Sequence, residues 1–494
     1  MSGTIELDGH SLTIADVVAV ARGFVPVAID PAALPGVAAS RAAVEAAVRA
    51  GATVYGVTTG FGKLAHVRVP PDRLRELQRN LIRSHASGVG DPLPVESVRA
   101  MMLLRANVLA RGTSGVRAVV PELIVAMLNA RLHPRVPSQG SVGASGDLAP
   151  LSHLALAMIG EGEGGEALRA AGLAPLTLEA KEGIAFVNGT QAQTGLAALL
   201  VDDAWRLWRT AHAAAALSLE AVRGTPDSFD ARIHDARPHP LQQRSAALLR
   251  GLLADSEIRE SHRENDPRVQ DAYSLRCTPQ VLGAAGEGLA FAERLVTTEL
   301  NAATDNPLVF GDDLLSGGNF HGQPIALALD VAAIALTTLA NLAERRLERI
   351  VNPDLSSGLP PFLARNAGLE SGFMTAQIAA AALVAECRVL ATPASVQSVP
   401  TEGNQEDVVP MGMVAAWKAQ RILANASRVV AIELLAGAQG LEFLKPLEPG
   451  RGVRRTYDAV RREAPALDGD RPMADEIERV TAAALAGRFD PEAS

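Results

Sequence analysis

Aromatic side chains are scarce in this chain, at 3% of 494 residues, so a core must be built from Ala, Leu, Val and Ile. Cysteine is scarcer still. Cys277 and Cys387 exclude a disulfide framework and have no metal-ligand spacing. The ten histidines likewise show no pairing with carboxylates or thiols at ligand spacing, so no metal is expected. No long basic run occurs, and the formal charge is −9, which argues against nucleic acid or an acidic membrane surface as partner. The opening Met1-Ser2-Gly3-Thr4-Ile5-Glu6 is polar and acidic rather than a signal peptide, and a reducing cytoplasm is the expected location. No segment repeats at a fixed period, which sets a solenoid aside. One apolar run, Ile325 to Ala343, is nearly long enough to span a bilayer. Asp330, Asn341 and two threonines interrupt it, and it runs into Glu344-Arg345-Arg346, so it is predicted to be a buried helix.

What the chain has is helical pattern. Residues 1 to about 70 mix short apolar runs with Pro and Gly and predict a small α+β region, with a helix over 38–50. Leu74, Leu77, Leu81 and Ile82 follow helical spacing over 72–86, with Gly88 as a stop. Further helices are predicted at 98–110 and 119–130, with another near 154–159. Long Ala/Leu-rich helices are predicted at 192–222, 280–301, 325–350, 372–391 and 412–440, and shorter ones at 452–463 and 473–486. Short connections between long helices favour antiparallel neighbours. The expected fold is therefore mainly α, a long-helix bundle with a small N-terminal α+β region. The expected division is 1–105, carrying Tyr55 and His85, and 106–494, carrying the bundle and the C-terminal helices. Gly160-Glu161-Gly162-Glu163-Gly164-Gly165 formally spells a dinucleotide fingerprint. No strand precedes it and two glutamates would repel a pyrophosphate, so an acidic surface turn is expected instead.

Between the helices lie short polar stretches rich in glycine, where functional groups are commonly held. The densest is Gly140-Ser141-Val142-Gly143-Ala144-Ser145-Gly146-Asp147-Leu148-Ala149-Pro150-Leu151-Ser152-His153. A sharp bend, which glycine permits, can bring the Gly146 nitrogen against the Ala144 carbonyl carbon. Closing that ring and losing the Ser145 hydroxyl as water would leave an alkene conjugated to an imidazolone. Other such stretches hold two of the three tyrosines, in Tyr55-Gly56-Val57-Thr58-Thr59-Gly60-Phe61-Gly62 and Val269-Gln270-Asp271-Ala272-Tyr273-Ser274-Leu275-Arg276. Val187-Asn188-Gly189-Thr190-Gln191, Ser316-Gly317-Gly318-Asn319-Phe320-His321-Gly322 and Asn404-Gln405-Glu406-Asp407 complete the set.

Together these stretches resemble the motifs of the histidine and aromatic amino-acid ammonia-lyases, from about residue 10 to residue 487. The resemblance implies a methylidene-imidazolone (MIO) electrophile formed from Ala144-Ser145-Gly146, with no external cofactor. It implies Tyr55 as the base that takes the β-proton and Arg276 as a two-point grip on the substrate carboxylate. Asn188 would hold that carboxylate or the MIO oxygen, Tyr273 and Gln270 would support the MIO ring, and Phe320 would pack on MIO or substrate. Ser84-His85 and Glu406 resemble the histidine-specific members, because a carboxylate can accept an imidazole N–H but would be buried unpaired against a phenyl ring. Val408 and Gln397 depart from that pattern, where His and Asp are usual. The expected activity is elimination of ammonia from L-histidine to give trans-urocanate, in a homotetramer whose sites draw on several subunits. A tyrosine or phenylalanine ammonia-lyase, a 2,3-aminomutase using the same residues, and an inactive helical scaffold are the alternatives.

Overall fold

Alanine and leucine at helical spacing become helix almost everywhere the pattern predicts it. The computed structural model describes residues 3–492, and it is mainly α-helical. The predicted helix over 72–86 is Leu74–His85, that over 412–440 is Gly412–Glu442, and that over 325–350 is Gln323–Val351. The apolar stretch of this last helix is largely buried, as expected of a bundle interior, although its length and composition would suit a membrane. One short segment differs. Gly162, Gly164 and Gly165 open a helix, Gly162–Ala170, instead of forming a plain acidic turn. The element before them is the helix Leu148–Met158, so no strand feeds the glycines and no dinucleotide fold forms there.

The chain forms two compact units. The first contains residues up to Asp202 together with Ala292–Asp330 and Pro393–Trp417. Its N-terminal part is the expected α+β region: strand Ile5–Leu7 pairs in parallel with Val27–Ile29, and the helix Ile14–Gly23 joins them. Thr13 and Asp16 cap that helix reciprocally, each side chain accepting the other's backbone N–H. Helix Val95–Ala110 is buried from Ser97 to Ala110 and packs on both Ile14–Gly23 and Val119–Asn129. Residue 105 lies inside this helix. Two further strand pairs, Val89–Pro92 with Pro137–Gln139 and Leu308–Phe310 with Asp313–Leu315, are antiparallel.

The second unit contains Asp203–Phe291, Val331–Thr392 and the chain from Lys418 onward. Its long helices are tied by one buried ion pair. Arg346 donates to both oxygens of Glu433 at 2.5 and 2.9 Å, and the Ser218 hydroxyl donates to the same carboxylate at 2.7 Å. Both charged side chains are fully buried, so removing one partner would leave the other unpaired at a cost of about 3–5 kcal/mol. Small residues set the spacing: a Cβ on Gly437 would lie 2.8 Å from Leu217, and one on Gly440 would lie 2.8 Å from Ala221.

Candidate active site

The glycine-rich stretch at 140–147 runs in the first unit as an irregular loop into helix Leu148–Met158. Gly140, Gly143 and Gly146 all adopt left-handed φ, of 122°, 75° and 80°, a backbone that only glycine takes readily. At Gly146 the neighbour is another glycine. A Cβ there would sit 2.3 Å from the Gly189 nitrogen, and Asp147 N–H donates to Gly189 O at 2.7 Å. Asn188 donates from Nδ2 to the Ser145 carbonyl at 2.6 Å, while its own Oδ1 is buried without a partner. A Cβ on Gly189 would in turn lie 2.4 Å from an Arg105 nitrogen and 2.5 Å from Thr304 O. Residues 144–146 are thus pressed onto a backbone seat that no side chain could share. A compact ring made from these three residues fits this seat, with an idle acceptor on Asn188 beside it.

Behind the seat stands a buried cation. Arg105 donates to Gln191 Oε1 at 2.7 Å and to the Asn188 and Ala185 carbonyls, and burial pulls its guanidinium down to about 10, opposed by Asp305. Asp147 is buried too. Burial pushes its carboxyl up to about 7, against the lowering effect of donors from Gln193 and Ser141. Gln193 is the hub of this layer: its N–H and its Nε2 both donate to Asp147, at 2.8 and 3.2 Å. Three glycines from three segments close on its amide. A Cβ would lie 3.2 Å from Nε2 if built on Gly143, 2.3 Å from Nε2 on Gly322, and 1.8 Å from Oε1 on Gly412. Main-chain bonds from Gly322 N–H to Gly143 O (3.0 Å) and from Met411 N–H to Val142 O (2.8 Å) complete the clamp.

Above the loop opens a cavity of about 430 Å³, within the first unit. Tyr55, Ala144, Ser145, Phe320 and Glu406 all line it. A second cavity of about 350 Å³ is lined by His85, Gly146, Thr401, Ser145 and Glu406, so the last two border both spaces. His85 ends helix Leu74–His85, and its Nδ1 lies 2.9 Å from Leu81 O. That carbonyl can only accept, so Nδ1 carries the proton. Burial holds the His85 imidazole below its ordinary pKa, which favours the neutral ring despite the nearby Glu406. Glu406 accepts the Thr401 hydroxyl at 2.6 Å on Oε2, and Thr401 N–H donates to the Glu406 carbonyl at 2.8 Å.

The Tyr55 phenol is held above its ordinary pKa, chiefly by burial and also by Glu402 and Glu406. A backbone donor opposes this: Gly62 N–H points at the phenol oxygen from 3.1 Å. Gln270, Tyr273 and Arg276 lie in the second unit and line neither cavity. There the Arg276 guanidinium donates to Gln270 Oε1 and stands 5.7 Å from the centre of the Tyr273 ring. Tyr273 is 75% exposed and Val269 98% exposed. Glu402, Gln405 and His321 also line the larger cavity, and motif reasoning passed over them. For His321 and Gln405 the signal was adjacency to Phe320 and Glu406. Glu402 belongs to a turn and offered none.

A profile of the aromatic amino acid lyases, described as "Aromatic amino acid lyase", matches residues 12–462. A histidine ammonia-lyase of Myxococcus xanthus is 52% identical over 488 residues, covering 97% of this chain and 96% of that protein. Among solved structures, a tyrosine aminomutase of Streptomyces globisporus superposes with a TM-score of 0.94 at 41% identity, covering 99% and 98% of the two chains. A histidine ammonia-lyase of Trypanosoma cruzi superposes with a TM-score of 0.91 at 42% identity, covering 99% and 95%.

Proposed function

The chain belongs to the aromatic amino acid lyase family, a family of carbon–nitrogen lyases, and from that premise we propose that it eliminates ammonia from L-histidine to give trans-urocanate. The observation that carries the proposal is the meeting of Ser145, Tyr55 and Glu406 on one cavity above the 140–147 loop. The MIO group, formed from Ala144-Ser145-Gly146, would supply an electrophile for a reaction whose β-proton is barely acidic.

The chain's own residues do the remaining work. Glu406, with one oxygen held by Thr401, accepts an imidazole N–H from the substrate. His85, neutral and protonated on Nδ1, offers Nε2 as an acceptor. Phe320 supplies an apolar wall, and Asn188 holds the loop by the Ser145 carbonyl. Tyr55 takes the β-proton, which requires positive charge or further donors to offset the carboxylates around it. Arg276 is our candidate for that charge and for the carboxylate grip, with Gln270 and Tyr273 beside it. It would be contributed by another copy in a cytoplasmic homotetramer. The exposure of Tyr273 and Val269 supports a protein partner on that surface.

Ultraviolet product analysis with L-histidine, L-tyrosine and L-phenylalanine tests the reading. Urocanate from histidine is expected. Preference for tyrosine or phenylalanine would overturn the substrate, and β-amino acid products would point to a mutase. Ser145→Ala should fold yet lack activity, while the wild-type mass falls short of the encoded mass by two waters per chain. An unshifted mass would remove the cofactor from the proposal.

A further inference from the structure

Glu402 has no part in the roles above, yet only one glycine lies between it and the proposed base. The residue is exposed, but its carboxylate is turned inward onto Gly62, which is buried. A Cβ on Gly62 would fall 1.6 Å from Glu402 Oε1 and 2.5 Å from Oε2. Gly62 is the same residue whose N–H reaches the Tyr55 oxygen at 3.1 Å. One glycine therefore separates a phenol from a carboxylate, and both side chains line the same cavity.

The backbone holds Glu402 in this pose at a cost. Glu402, Gly403 and Asn404 follow one another in left-handed conformation, with φ of 51°, 61° and 63°. Only the glycine takes that conformation freely, and such strain persists where surrounding structure enforces it. Here the enforcement is the two-way pairing of Thr401 and Glu406 across the turn.

We infer that Glu402 is a positioning residue for the reaction, acting through Tyr55 as the anion against which the phenol must lose its proton. The inference rests on Tyr55 being the base. The charged and titratable groups around the phenol are few. Glu402, Glu406 and Asp407 come from one segment, His321 from the Phe320 segment, and Lys63 follows Gly62, its stem near Gly403. His321 sets its Nε2 on the Val408 carbonyl at 3.1 Å, so that nitrogen carries a proton. Carboxylates outnumber cations on this wall. A phenolate beside Glu402 becomes favourable when cationic charge arrives, and Arg276 from another copy and the substrate's ammonium are both such charges.

Two measurements on the intact enzyme test this. With three tyrosines in the chain, the ultraviolet titration of Tyr55 is isolated by subtracting that of Tyr55→Phe. In Glu402→Gln the Tyr55 midpoint should fall, by roughly half to one pH unit for a partly solvated neighbour. The acidic limb of kcat/KM for L-histidine should move down by the same amount. Glu402→Asp, which keeps the charge, should restore most of the wild-type limb. An unmoved Tyr55 titration in Glu402→Gln overturns the inference, as does a shifted titration with an unmoved activity limb. Failure of the base assignment itself reads differently, as near-normal turnover in Tyr55→Phe.

Discussion

At the scale of single residues, the substrate argument comes down to one carboxylate and what it can accept. Glu406 borders both cavities, and Thr401 occupies one of its oxygens. Glu406→Gln keeps the size and the Thr401 contact but removes the charge. One charged hydrogen bond is worth about 1.5–3 kcal/mol, so kcat/KM for L-histidine should fall about ten- to a hundred-fold. Relative activity on tyrosine and phenylalanine should rise at the same time, and steady-state rates on all three amino acids check both effects. The motif residues legible in the sequence were those whose chemistry is unusual for their surroundings. A serine among glycines and a tyrosine in a chain with three stand out, and Tyr55, Ser145, Phe320 and Glu406 do share a cavity. Glu402 did not stand out, because a glutamate before Gly-Asn reads as solvated turn. Its inward pose depends on left-handed φ and on Gly62, which lies 340 residues earlier. Gln193 was hidden for a similar reason: inside a helical run of small residues, nothing marks the amide on which three distant glycines close.

At the scale of elements, period and composition were enough for the long helices, because burying an apolar stripe fixes a helix wherever it packs. They were not enough for Glu182–Val187 or Pro240–Leu252, which are short or polar, nor for strands of three or four residues whose partners are distant in sequence. The start of helix Gly412–Glu442 gives a sharp test of how elements hold the site. Gly412→Ala places a methyl where Gln193 Oε1 now lies, and Gln193 cannot yield without releasing Asp147. A stability loss of about 1–3 kcal/mol and a large activity loss are expected. Adding Gln193→Ala should return part of the stability but not the activity, read by a thermal double-mutant cycle. A second test concerns His212 in helix Gln191–Ala221. It is wholly buried, its Nδ1 2.8 Å from Trp208 O and its Nε2 2.5 Å from Ser245 Oγ, and burial pulls it down to about 3. The unfolded chain protonates this ring below its ordinary value near 6.5, whereas the folded one does not until about pH 3. Its contribution is therefore complete above pH 6.5 and is lost as pH falls from there toward 3, at up to about 1.4 kcal/mol per pH unit. Asp147 and Glu220, each pushed up to about 7 by burial, act in the opposite sense over the same range. The comparison must therefore be with a variant. Between pH 7 and 4 the Tm of wild type should decline relative to that of His212→Gln, whatever the direction of the common trend.

At the scale of the whole molecule, the two groups of proposed site residues pose one question. Tyr55, Ser145 and Glu406 share a cavity in the first unit, while Gln270, Tyr273 and Arg276 form their own cluster in the second. In its own chain the phenol is held up by burial, Glu402 and Glu406, with the Gly62 N–H opposing them, so a proton acceptor there calls for further positive charge. The Arg276 cluster brings together a guanidinium, an amide and a phenol, and these line neither of the two cavities. If a second copy joins them, each site needs Tyr55 from one subunit and Arg276 from another. Tyr55→Phe and Arg276→Gln should then each be nearly inactive alone. Assembled together at equal amounts by co-expression, they should regain activity, because random mixing leaves about a quarter of the sites with both native residues. Light scattering on the same samples should give four chains per particle. Recovery no greater than the sum of the two separate variants would place Tyr55 and Arg276 in the same subunit's site, or would remove Arg276 from it.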